Sequence, residues 1–223
     1  PALMGMCAQR NIELTFMSGN GHFLARVSGE VKGNVTLRKQ QYRISDNTEQ
    51  SIELARNFIT GKVYNCRWVL ERAVRDYSLR IDTDSIKKKS KILYQSLEKI
   101  RTCKTSAQLL GLEGEAEAVY FSVFDELILQ QKEDFTFQGR NRRPPLDNVN
   151  AMLSFAYSLL TGMCGSALES VGLDAYVGFF HTDRPGRISL ALDIMEELRS
   201  IMADRFVLTM INKRIIKKSH FIQ

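Results

Sequence analysis

The 223-residue sequence lacks paired cysteines. Its four, Cys7, Cys66, Cys103 and Cys164, are scattered, with no two at the spacing of a zinc knuckle. Free thiols and a cytoplasmic location are expected, and a structural zinc is not. No apolar run approaches the roughly 18–20 residues of a transmembrane helix, and no stretch reads as a signal peptide, so no membrane association is expected. There is no internal repeat and no low-complexity segment. β-pattern is scarce and confined to the first thirty residues.

What is present describes an ordinary globular protein: 44% hydrophobic and 25% charged residues, enough chain for one large or two smaller domains. The net charge of +6 and a pI of about 9.2 favour a polyanionic partner. Basic residues gather at Arg38, Lys39 and Arg43; at Lys87, Lys88, Lys89 and Lys91; at Arg140, Arg142 and Arg143; and at Lys213, Arg214, Lys217 and Lys218. Any one cluster reads as a solvated face. Four of them beside a candidate catalytic site make nucleic acid the leading partner class.

The segments 12-IELTFMS-18 and 22-HFLARVS-28 flank the turn signal 19-GNG-21 and predict a β-hairpin. A lone hairpin is marginal in water. A sequence that begins at Pro1 and stops after 212-NKRIIKKSHFIQ-223 is therefore expected to lack N- and C-terminal portions. The apolar set Ile12, Leu14 and Phe16 is expected to be buried on the helical domain or a neighbouring chain. From Asp46 to Tyr77 apolar residues recur at helical steps, and 84–102 forms a second amphipathic helix. A short helix leading into a longer one is expected over 105–131. Arg140–Pro145 reads as a basic loop, and an Asp147-capped helix spans 147–162. Helices near 163–172, 187–204 and 205–217 follow. The expected fold is mainly α: a remnant of a β-domain at 1–34 and an all-helical domain at 35–223.

Two carboxylates and a histidine stand out. Asp193 lies between Leu192 and Ile194, where a charge is costly unless something meets it. Arg187 and Arg199 are six residues away on either side, outside helical pairing distance, which leaves Asp193 without a local cationic partner. Glu113 sits between Gly111 and Gly114 near a helix start, and reads equally well as a helix-start glutamate. His181, in 181-HTDRPG-186, taken alone reads as structural. One glutamate, one histidine and one aspartate together would suit Mg²⁺ or Mn²⁺ rather than structural zinc. Nothing in the spacing brings the three together.

Five stretches carry a resemblance: 32-KGNVTLRKQQYR-43, 61-GKVYNCRWVLER-72, 111-GLEGEAEAVYF-121, 140-RNRRPPLDNVNAMLSFAYSLL-160 and 178-GFFHTDRPGRISLALDIMEELR-199. The sequence resembles the CRISPR-associated integrase family of the adaptation module, most closely its type I-C members. The resemblance implies a metal-dependent DNA nuclease and integrase that inserts short foreign DNA by 3′-hydroxyl attack on a phosphodiester. It implies catalytic and metal-binding roles for Glu113, His181 and Asp193, with Mg²⁺ or Mn²⁺. Some subtypes carry a further acid three residues before the ligand aspartate. Here that position is Leu190, and Glu196, three residues after Asp193, is the candidate second acid. Removing Asp193 from such a cluster is expected to leave metal-free stability no lower. Arg140, Arg142, Arg143, Lys213 and Arg214 are the expected DNA contacts, with Asn150 and Tyr157 as active-site neighbours. The implied partners are DNA, a second copy of the chain, and a small ferredoxin-like adaptation protein. Two other readings stay open: a non-catalytic helical DNA-binding or scaffolding module, and a metal-dependent hydrolase of small phosphoesters.

Overall fold

The structure is a computed structural model and describes residues 1–10, 12–19, 23–30, 34–142 and 144–221. Helix α1 (Ala2–Gln9) precedes a hairpin of β1 (Leu14–Met17) and β2 (Phe23–Val27). Then come α2 (Val35–Asp46), α3 (Thr48–Tyr77), α4 (Thr83–Thr102), α5 (Ser106–Phe121), α6 (Asn148–Ser170), α7 (Ser189–Arg199) and α8 (Arg205–Asn212). The mainly helical expectation with a small β-hairpin holds.

The helices begin where side chains satisfy their orphan N–H groups. Asn47 accepts from Glu49 and Gln50 and starts α3; Asp82 accepts from Asp84 and Ser85 and starts α4. Thr105 and Asp147 do the same for α5 and α6. The 30-residue α3 is the hub, packed against α4, α5 and α7, while α6 packs along α7. Ile59, Leu70, Ile86, Leu93, Leu109 and Leu153 lie fully buried where these helices meet. All four cysteines are free and buried.

Several boundaries differ from the sequence pattern. Helices α1 and α2 have no counterpart among the expected elements. The segment at 105–131 is one helix ending at Phe121, then a 3₁₀ turn at Phe124–Leu127. The irregular chain after it is held by side chains: Asp125 accepts from Phe137 N, and Asn212 bonds both Leu129 N and Leu127 O. The helices expected at 147–162 and near 163–172 are one, α6. This helix is also apolar enough by composition to cross a membrane, with a mean hydropathy of 1.4, contrary to expectation. Its Val149, Leu153, Tyr157, Leu160 and Leu168 are instead core residues. Helices α7 and α8 join through a π-helical turn at Ser200–Asp204.

The hairpin pairs Leu14 with Val27, Thr15 with Arg26 and Phe16 with Ala25. Asn20 and Gly21 of its expected turn lie outside the described residues. Within this chain the apolar face is not buried on the helical domain: Ile12 is 50% and Phe16 42% exposed. Its tether to α6 is polar. Arg26 reaches both Glu13 and Glu169, and Ser166 donates to Glu13.

Candidate active site

Helix α5 places Glu113 and Glu117 one turn apart on the same face, as four-residue spacing requires. Helix α7 places Glu196 and Arg199 opposite them, and α3 inserts Lys62 from below. The approach of α7 to α3 depends on Gly61, since a Cβ there would lie 2.7 Å from Glu197 Cγ. Glu113, Glu117 and Glu196 floor a cavity of about 940 Å³ whose walls include Arg140, Arg142, His181, Arg184 and Arg187.

The charges are tightly interlocked. Lys62 Nζ donates to Glu113 Oε1, lies 2.8 Å from Glu117 Oε2 and 2.7 Å from Glu196 Oε2. Arg199 Nη2 is 2.8 Å from Glu117 Oε2, and its Nη1 is 3.3 Å from Glu196 Oε2. Arg142 reaches Glu117 Oε1 at 3.2 Å. Burial works against the ionised forms of Glu117 and Glu196, but Arg199 and Lys62 outweigh it and hold both below the usual carboxylate range. For Glu113 burial wins and raises its pKa. Burial and Arg199 disfavour the Lys62 ammonium, yet the three glutamates prevail and keep it charged.

Asp193 stands apart from this cluster. It is fully buried, and what meets it is backbone, not a cation. Its Oδ2 accepts from Phe179 N at 2.7 Å and Phe180 N at 3.0 Å; its Oδ1 accepts from His181 N at 2.9 Å and lies 2.7 Å from His181 Nδ1. Both oxygens of the carboxylate are engaged by these four donors. Its contact also orients His181: a carboxylate at Nδ1 places the proton there and leaves Nε2 as the acceptor nitrogen.

Glu113 and His181 line one cavity, while Asp193 lies behind His181, bonded to its backbone and ring. Among the described residues, the group able to share one ion is Glu113, Glu117 and Glu196, with an oxygen from each within 4.8 Å of the others. His181 lines the same cavity. The donors fit a hard divalent cation, and Glu196 Oε2, though close to Lys62, accepts no hydrogen bond of good geometry. Glu196, expected as a secondary acid, is thus central. Glu117, Lys62 and Arg199 were missed. The four-residue step from Glu113 marks Glu117, and a lysine among Ile59, Val63 and Cys66 marks Lys62.

The remaining expected residues divide. Arg140 is an anchor, donating to Asn150 Oδ1 at 2.7 Å, Ser154 Oγ at 3.0 Å and Asn141 O; burial lowers its pKa. Asn150 is fully buried and spans Gly139 O, Asp147 and Asn141 N. Tyr157 donates to Asp204 at 2.5 Å, with the guanidinium groups of Arg140 and Arg199 each 5.2 Å from its ring. Arg140 is part of the cavity wall, and Asn150 and Tyr157 support it from behind. Arg142 is at the cavity and Arg143 lies outside the described residues. Lys213 and Arg214 are not at this cavity; they end α8, where Arg214 donates to Gln130.

The family model described as CRISPR associated protein Cas1 matches residues 1–223. A CRISPR-associated endonuclease Cas1 of Chlorobaculum tepidum is 47% identical over 221 residues, covering 99% of this chain and 64% of the relative. The chain therefore spans less than two thirds of that protein. A casposase bound to its integration product superposes with a TM-score of 0.81 at 28% identity, covering 99% of this chain and 59% of that one. A chain of a partial Cas6-RT-Cas1–Cas2 complex gives 0.76 at 25% identity, covering 98% and 64%. This chain belongs to the Cas1 family.

Proposed function

We propose that the protein is a metal-dependent DNA endonuclease and integrase of CRISPR adaptation, working on DNA through the cavity floored by Glu113, Glu117 and Glu196. The observation that carries the reading is this carboxylate group, beside a histidine and four arginines in a member of the Cas1 family. Glu113, Glu196 and His181 Nε2 would hold Mg²⁺ or Mn²⁺, with Glu117 supporting them. Such an ion supplies polarisation of a phosphodiester and neutralisation of the leaving oxygen. Asp193 is a positioning residue that holds His181 in place. Arg142, Arg184 and Arg187 on the walls suit phosphate oxygens. The reaction is transesterification, a DNA 3′-hydroxyl attacking a phosphodiester of the repeat. A second copy and a small ferredoxin-like protein, comparable to the Cas2 named in the related complex, are the proposed partners.

The full match of the three carboxylates by Lys62, Arg199 and Arg142 favours one competing reading, a purely structural ion network in a DNA-binding module. The test is Mn²⁺-dependent cleavage and strand transfer on a branched DNA, with Mn²⁺ binding measured alongside. Glu113→Gln and Glu196→Gln are expected to lose activity by at least about a hundredfold and to weaken Mn²⁺ binding. Full activity in Glu196→Gln would falsify the site.

A further inference from the structure

Lys62 is the least expected member of the site. It is 1% exposed and projects from the apolar face of α3. Its ammonium touches an oxygen of each of Glu113, Glu117 and Glu196, the three carboxylates whose oxygens also lie close enough together for one ion. It therefore stands where a cation is wanted. The fit to Glu196 is one of charge rather than direction: Nζ is 2.7 Å from Oε2, yet that oxygen has no well-aligned hydrogen bond. The ammonium donates to Glu113 and Glu117 and meets Glu196 as a point charge. Without Lys62, the buried Glu196 and the half-buried Glu113 and Glu117 would face only Arg199 and the largely exposed Arg142. With a divalent ion added, Lys62 would face a like charge across the same oxygens.

We propose that Lys62 is the resident cation of the metal-free site: it keeps Glu113, Glu117 and Glu196 assembled when no divalent ion is bound and competes with that ion for their oxygens. The inference rests on the metal reading above and extends it to how the site survives without metal. Metal entry then shifts the ammonium away from at least one carboxylate, and the ion's affinity is lower than the ligand set alone would give. By reciprocity, whatever loosens Lys62 tightens metal binding.

Lys62→Met keeps the length of the side chain and removes the charge. In the full chain, two quantities are measured against wild type: melting temperature in EDTA, and Mn²⁺ affinity from the electron paramagnetic resonance of free Mn²⁺. The expected result is a lower melting temperature in EDTA together with Mn²⁺ binding tighter by about tenfold or more. A lysine with a merely structural role gives the lower melting temperature with unchanged or weaker Mn²⁺ affinity, and that result overturns the proposal. If neither protein binds Mn²⁺, the metal reading itself fails and takes the proposal with it. Should the variant not fold, wild type labelled with ¹⁵N at lysine Nζ gives the same decision. Lys62 is the buried lysine among the described residues, so its ammonium protons are expected to exchange slowly in EDTA. Saturating Mg²⁺ is expected to shift that signal or abolish its protection; an unchanged signal overturns the proposal.

Discussion

At the scale of single residues, two buried aspartates behave in opposite ways. Asp193 is saturated by three backbone N–H groups and His181 Nδ1. Asp193→Ala strips those donors of their acceptor, and is expected to cost at least about 3 kcal/mol in chemical denaturation. This reverses the expectation of unchanged stability, because Asp193 is not among like charges. Asp204 is the contrary case. Burial pushes its pKa up to about 6, and its Oδ2 has no partner. The folded state therefore binds more protons than the unfolded one between about pH 4 and 6. Its contribution favours folding below about pH 4 and is lost as pH rises through 6, a change of roughly 2–3 kcal/mol. Asp204→Asn keeps an acceptor for the Tyr157 hydroxyl and is expected to flatten that part of a stability-versus-pH curve. An identical pH dependence in wild type and variant would assign the titration elsewhere. Asp193 was legible in the sequence as an anomaly, since its neighbours forbid an unpaired charge. Its solution was not, because backbone donors carry no side-chain signature. Glu117 and Lys62 were hidden by adjacency: each needs two helices in contact before its role exists.

At the scale of elements, the sequence pattern located the long helices and failed at their joints. Gly162 did not end α6, because that helix continues as one packed surface through Cys164 and Leu168. The π turn between α7 and α8 left no mark in the periodicity. Gly61 is the joint that matters most for the site. A glycine inside a helix costs up to about 1 kcal/mol relative to alanine, so Gly61→Ala would stabilise an isolated α3. In the fold the added Cβ meets Glu197 at Cγ and Cδ, 2.7 and 2.9 Å away, beyond the Cβ of that side chain. The helices must separate or Glu197 must turn away. Gly61→Ala is expected to lower the melting temperature, since the added Cβ disturbs the contact between α3 and α7. Glu197→Ala removes the clashing atoms while leaving the backbone oxygen that accepts from Asn65. The double variant should therefore recover much of the loss, and additive effects in the double-mutant cycle would show that the contact is not the cause.

At the scale of the whole molecule, the net charge of +6 says little about where DNA runs, because cationic side chains are unequally free. Arg140 is consumed by its own loop and α6, Arg142 leans on Glu117, and Arg214 holds Gln130. Arg184 and Arg187, which composition did not single out, line the cavity and have no ion-pair partner among the described residues. Lys213 faces a different cavity with Val69 and Leu208. Binding that releases counterions loses about 0.9 in the salt slope for each phosphate contact removed from duplex DNA. Replacing Arg184 and Arg187 together with alanine is expected to reduce that slope by about 1–2 in an anisotropy titration between about 50 and 200 mM salt. Arg142→Ala should change it by less than about 1, because its charge is already shared with Glu117. Lys213→Ala with Lys217→Ala should leave it unchanged if DNA enters by the glutamate cavity. A larger change from the lysine pair than from the arginine pair would place the phosphate backbone along the end of α8, away from the carboxylates, and the site and the DNA would then need separate explanations.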